Sequence, residues 1–316
     1  MRMSAYFVFV LTLMSLLLHC SCTMQESKAA EEADIPNPSA AEYISYTVPL
    51  DLGRDDWVRY VIDLGDDICV VCGMYSVSDD SYRIMIIDKD TGNITSSNDT
   101  VLQDAFAFCA TKDNKIACTA SDGYIIVEPY TGKIFAKGKV PGAFTGEDHF
   151  VASCDEGFVY ITPDMICKVS GDGSIIDSME LDIEGILCHE DPYFIKNGRE
   201  YIRTTDNDES FVNYYELDFD SRSAILRATD KTLDINLFYA PDYGKYFYDH
   251  SKGEIYELDP EHLSKAICAY RSNMPHNSIT DATDHLYILN RSEYVASNLY
   301  NDGRKELVIT RAKTVT

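Results

Sequence analysis

From Tyr43 onwards the chain alternates short apolar runs with brief polar breaks. The apolar runs are rich in Val, Ile, Tyr and Phe, and Gly, Asp, Asn or Ser interrupts them about every eight to twelve residues, which is the pattern of short strands joined by tight turns. No stretch beyond residue 40 places apolar residues at the three-to-four spacing of an amphipathic helix. An all-β chain is therefore expected. One well-marked segment reads as four strands, Ala105–Thr111, Lys115–Ala120, Tyr124–Glu128 and Lys133–Lys139. Lys112-Asp113-Asn114, Ser121-Asp122-Gly123 and Pro129-Tyr130-Thr131-Gly132 link them; Asn and Gly accept positive φ there, and Pro presets the first turn angle.

The same unit recurs. Its polar turn anchors fall at Asp88, Glu128, Ser170, Asp218, Asp259 and Asn301, at nearly even intervals along the chain. A spacing of about 40–50 residues is the length of a four-stranded propeller blade, a unit that hides both faces of its sheet only by stacking against neighbours. Six anchors at that interval predict a β-propeller of six four-stranded blades over residues 41–316. Tyr43–Leu50, lying upstream of the first inner strand Trp57–Leu64, either contributes to a seventh blade or closes the ring by pairing with the last one. If Tyr43–Leu50 closes the ring, Glu306–Thr310 is surplus; otherwise Glu306–Thr310 is itself the outer strand of the last blade.

The turn Asp88-Lys89-Asp90-Thr91-Gly92-Asn93-Ile94 and its Glu128 variant resemble the repeat of PQQ-like and related bacterial β-propellers, a PQQ-like or WD-like resemblance at the level of fold. Quinone-dependent members use several tryptophans to dock blades, whereas this chain has only Trp57, and no Trp-Asp pair closes a strand as in WD repeats. The resemblance thus implies a propeller without implying a quinone, and no cofactor is expected.

Residues 1–22 read as an export signal, with Arg2 ahead of an apolar run from Tyr6 to Leu18. That run is too short for a comfortable membrane span, which needs roughly 20 residues. The cysteines closing it resemble the acylation site of bacterial lipoproteins, with Cys20 or Cys22 as the attachment point, although His19 departs from that pattern. A cleaved secretory signal is the alternative. Residues 23–40 are acidic and proline-containing, as expected of a flexible tether. Most of the other eight cysteines sit inside apolar strand sequence and read as buried free thiols, with one or two disulfides as the alternative. Cys69 and Cys72, three apart on a strand, would face opposite sides and so could not share a metal.

Composition narrows the partners. A hydrophobic fraction of 45% is that of a folded globule, and 27 basic against 52 acidic residues give a net charge of -25, which opposes nucleic acid and anionic lipid headgroups. Candidate chemistry is sparse. Three acidic clusters contain a histidine: Glu147-Asp148-His149, His189-Glu190-Asp191 and the span Asp281 to His285. Glu147, His149, His189 and Glu190 flank expected inner strands, so they are the catalytic candidates should the chain be an enzyme. Among 22 tyrosines, Tyr193, Tyr239 and Tyr243 fall near expected loops and are the candidates for a ligand surface. No metal site is expected. The reading is an exported, lipid-anchored or secreted, monomeric propeller of the cell envelope that binds a protein, peptide or glycan as a scaffold or ligand-binding module. The alternative is a polysaccharide hydrolase or lyase with carboxylate and His groups in the central funnel.

Overall fold

The computed structural model describes residues 43–105, 107–140, 149–188, 192–206, 211–231, 246–249, 254–258, 268–271, 282–290 and 293–312. All of the secondary structure among them is strand. In the first blade the strands Trp57–Asp63, Asp67–Gly73, Ser81–Asp88 and Ile94–Val101 pair antiparallel in that order. Phe108–Ala110, Ile116–Ala120, Gly123–Glu128 and Lys133–Lys139 form the second blade, within a few residues of the four strands expected there. The third is Phe150–Cys154, Gly157–Thr162, Met165–Ser170 and Ile175–Glu180. In the fourth, an inner strand in two pieces, Ile186–Leu187 and Tyr193–Lys196, pairs with Arg199–Thr205, followed by Phe211–Asp218 and Ser223–Lys231. Tyr246–Asp249, Glu254–Leu258 and Cys268–Arg271 make a three-stranded sheet.

The closing blade joins the two ends of the strand sequence. Thr283–Asn290, Glu293–Leu299 and Lys305–Ala312 are completed by Tyr43–Leu50, which pairs with Lys305–Ala312 along its whole length without a register shift. Pro49 lies in this outermost strand, the position where a missing N–H costs no ladder bond. Lys305–Ala312 is accordingly neither surplus nor outermost. It is the third strand of a blade whose fourth comes from the start of the propeller.

The structure is a β-propeller with four-stranded antiparallel blades, and five blades are complete among the described residues, against the six or seven expected. The anchor spacing misled at its last step. Asp88, Glu128, Ser170 and Asp218 each end a third strand, whereas Asn301 lies between the second and third strands of the closing blade.

Blade stacking explains the sequence pattern strand by strand. Asp67–Gly73 is buried from Ile68 to Gly73 because neighbouring blades cover both faces, so it reads as a continuous apolar run. Ile94–Val101, at the rim, is polar and largely exposed. One apolar layer lies between the closing and first blades, where Val58, Val70 and Met85 meet Val295 and Leu307; another lies between the first and second, where Ile84 and Ile86 meet Phe108 and Val127. Cys69 belongs to the second layer and Cys72 to the first, on opposite faces of one strand. Cys69, Cys72, Cys109, Cys118, Cys154, Cys167 and Cys188 are free thiols.

The repeated turn is a hydrogen-bonding device. Asp88 Oδ1 accepts from the backbone N–H and hydroxyl of Thr91 at 2.7 and 2.6 Å, and Gly92 N–H donates to Asp88 O at 2.8 Å. Gly92 and its counterpart Gly132 both hold a positive φ, in the left-handed region that only glycine enters without cost. Just past this turn the rim strand carries an extra residue. Thr95, Phe135 and Ile176 are each left unopposed there by a register shift against the neighbouring strand, as is Ala269 in the three-stranded sheet, while Arg227 of the fourth blade is left unopposed further along its strand. A bulge there twists the exposed edge away from pairing with the edge of another sheet.

Candidate functional site

Antiparallel strands taken four at a time bring the chain back to the same side before each new blade, so successive inner strands run in the same sense. Those of the first, second, third and fourth blades touch in sequence, and that of the first touches Thr283–Asn290 of the closing blade. Together these five inner strands line a central cavity of about 600 Å³. Its wall is mainly aromatic and aliphatic, with Tyr60, Phe108, Phe150, Phe194 and Tyr287 among the lining residues. That volume lies in the range of small-ligand sites.

Trp57, the sole tryptophan, stands at the start of the first inner strand and is 47% exposed. Its ring meets Tyr75 edge-on with centroids 5.7 Å apart, and the Tyr75 hydroxyl accepts from Arg59 Nη1 at 2.8 Å. Gly73 makes room for this pair. A Cβ there would sit 2.6 Å from Tyr75 Cε2 and 3.3 Å from Trp57 Nε1.

Asp56 fixes the two loops that carry the aromatic pair. Its Oδ1 accepts from Ser76 N–H at 2.9 Å, and its Oδ2 accepts from the Ser76 hydroxyl at 3.0 Å and Gly53 N–H at 2.8 Å. Burial alone would push this carboxyl up, but the bonds from Ser76 and Gly53 outweigh it and hold the group below its ordinary value. Lys305 of the closing blade donates to the carbonyls of Gly53 and Arg54 at 2.7 and 2.8 Å and to that of Asp56. The mouth is thereby tied to the seam where the ring closes.

On the other side of that seam the Tyr287 hydroxyl donates to Val58 O at 3.2 Å, and His285 stacks on Tyr287 with centroids 6.1 Å apart. His285 Nδ1 lies 2.9 Å from Asp284 Oδ2. The last residue of the first inner strand, Asp63, accepts from Lys89 Nζ at 2.7 Å, and Lys89 also reaches Glu293 Oε2 at 2.9 Å. The cavity therefore has the exposed Trp57 with a guanidinium beside it at one end, and Lys89 with its two carboxylates near the other.

The residues expected from sequence distribute unevenly. His149 is described but is 4% exposed, with Nδ1 2.8 Å from the Tyr160 hydroxyl, and it does not line the cavity. Glu147, His189 and Glu190 lie outside the described residues, as do Tyr239, Tyr243, Cys20 and Cys22. Tyr193 does line the cavity wall. Its hydroxyl, however, donates to Glu200 Oε1 at 2.7 Å, and Glu200 also pairs with Lys168 at 2.9 Å. Burial, reinforced by Glu200, drives the Tyr193 phenol far up, so it serves as a neutral donor inside the wall. Of the three acidic clusters that contain a histidine, the sparse one ending at His285 is the one with a described residue on the cavity. Sequence reading passed over Trp57, Arg59 and Tyr75 as a site. The available signal was a lone tryptophan at the first position of an inner strand.

Tyrosines elsewhere join blades. Tyr124 donates to Gly173 O at 2.7 Å, Tyr130 to Asp67 Oδ2 at 2.6 Å, and Tyr82 to Ala105 O, each from one blade to another or to its connecting segment. They provide the inter-blade docking that tryptophans give quinone-dependent propellers.

No protein-family model and no curated protein matches the chain. Among solved structures it is similar to the hydrazine synthase of Kuenenia stuttgartiensis, with 13% identity over 82% of this chain and 66% of that one, at a TM-score of 0.42. It is also similar to BamB from Moraxella catarrhalis, with 10% identity over 85% of this chain and 99% of that one, at a TM-score of 0.39. The WD40 domain of Neurospora crassa Pan2 shows 9% identity over 82% of this chain and 76% of that one, at a TM-score of 0.43. The chain spans about 66% of the length of the hydrazine synthase chain. These are likenesses of fold. The strand pairing described above makes the chain a β-propeller repeat protein.

Proposed function

We propose that the chain is a binding module, an exported propeller held at the cell envelope through Cys20 or Cys22, whose channel mouth recognises a protein, peptide or glycan partner. The observation that carries this reading is the solvent-exposed Trp57 set against Tyr75 and Arg59 at the entrance to a cavity of about 600 Å³. Trp, Tyr and Arg are the residue types that dominate binding hot spots. Exposed aromatic area held rigid in the free protein contributes to binding without a large ordering cost.

Because Trp57 is the only tryptophan, selectively excited tryptophan emission reports on the proposed site alone. A panel of peptides and of neutral and acidic oligosaccharides is expected to contain ligands that shift or quench Trp57 emission saturably. A panel without a single response, or turnover of a glycan by the purified protein, overturns the binding reading. The anchoring reading predicts incorporation of a labelled fatty acid that disappears when Cys20 and Cys22 are both replaced by Ser.

The reading extends to a ring of six blades. Cys268–Arg271 carries its register shift immediately past Leu258, where the rim strands of the first to third blades carry theirs. The three-stranded sheet then supplies the second to fourth strands of a sixth blade. An experimental structure with five blades in the ring would remove this extension.

A further inference from the structure

We propose that the channel mouth selects a ligand bearing a single carboxylate on a flat apolar body, with Arg59 as the partner of that carboxylate; this rests on the binding reading above. The chain has 52 acidic residues for 27 basic ones, so a cation without a carboxylate partner is unexpected in any sheltered position. Lys305 donates to three backbone carbonyls instead, but several other sheltered cations of the blades conform. Lys89 pairs with Asp63 and Glu293, Lys168 with Glu200, Arg83 with Asp99, and Arg311 with Asp90.

Arg59 does not. It is half-buried and lines the cavity, and its neighbours are phenols: its Nη1 donates to Tyr75, and it lies against Tyr82. No carboxylate among the described residues forms an ion pair with it. A guanidinium presents a planar fork of donors that matches a carboxylate with two parallel bonds, a match that contacts with phenols do not supply.

The surroundings restrict the rest of the ligand. Trp57 and Tyr75 offer aromatic surface beside Arg59, and the wall below is aromatic and aliphatic, so a flat apolar body fits where a polyol would leave hydroxyls unpaired. The net charge of -25 repels multiply charged anions more strongly than a monoanion. Asp56 holds both loops in place before any ligand arrives.

The test compares N-acetyl-phenylalanine with N-acetyl-phenylalanine amide, which have the same body and differ in the charge. Neither contains an indole, so Trp57 emission reads both. The acid is expected to bind at least about ten-fold tighter than the amide, a difference of roughly 1.4 kcal/mol. In Arg59→Gln the preference for the acid over the amide should vanish, and Arg59→Lys should restore part of it. Equal affinity of acid and amide for the unaltered protein overturns this inference without needing any variant, and the binding reading survives if other members of the panel still respond. If nothing in the panel perturbs Trp57, the binding reading falls and this inference falls with it. Phenylpropionate separates two sources of the same chemistry: affinity equal to the N-acetyl acid assigns a free aromatic acid, and weaker binding assigns the C-terminal end of a peptide.

Discussion

Lys89 shows how much one side chain carries at the ring seam. It is buried beside Glu293, whose Oε1 has no hydrogen-bond partner among the described residues, so that buried carboxylate depends chiefly on this ammonium, whereas Asp63 is part-exposed. Removing one partner of a buried ion group costs about 3–5 kcal/mol because the remaining charge stays uncompensated. Lys89→Met should therefore lower the urea midpoint by a matching amount, and adding Glu293→Gln should recover part of the loss. Asp56 acts through pH as well. Its folded-state value lies below the ordinary 3.8, so its contribution is fully present above about pH 4 and is lost as pH falls through the depressed folded value. Asp56→Asn should flatten that acid limb of a stability-pH curve and red-shift Trp57 emission, since the loops around Trp57 are then less tightly held. The thiols work in the opposite direction. Burial pushes Cys72 and Cys118 up to about 12, so their contribution is complete below the ordinary 9.0 and is lost as pH rises from there towards 12. A thiol reagent at neutral pH should leave the six buried described cysteines untouched until denaturant is added. Burial of these cysteines was legible in their apolar neighbours. The roles of His149 and Tyr193 were not, because Tyr160 and Glu200, which occupy them, lie 11 and 7 residues away and meet them only across paired strands.

Among elements, the outermost strand of the closing blade has the largest single consequence. Tyr43–Leu50 covers the edge of Lys305–Ala312 along its whole length, with Val48 and Leu50 buried beneath. Deleting residues 43–50 should expose that entire strand edge and open the seam, giving a lower melting temperature and soluble aggregates on size-exclusion chromatography. The rim bulges protect the other blades in a comparable way. Turn positions were readable in advance because Asp, Gly and Asn act locally, as Asp88 and Gly92 do within one turn. The bulges at Thr95, Phe135 and Ile176 were not, since an extra residue in a strand is defined only against the partner it fails to pair with. The phase error at Asn301 has the same origin: a turn between second and third strands uses the same residues as one between third and fourth.

For the whole molecule, the sequence by itself determined an all-β chain, the blade repeat, the short turns and the burial of most cysteines. Each of these rests on interactions between near neighbours or on hydrophobic periodicity, both of which are written along the chain. Tertiary structure alone decided which strand completes the closing blade, where the ion triad sits and what lines the channel. Trp57, Arg59 and His285 line one cavity from two blades at opposite ends of the strand sequence, as the bond between Tyr287 and Val58 across 229 positions makes plain. A closed ring brings its ends together by geometry, and no local signal announces which residues that closure will set face to face.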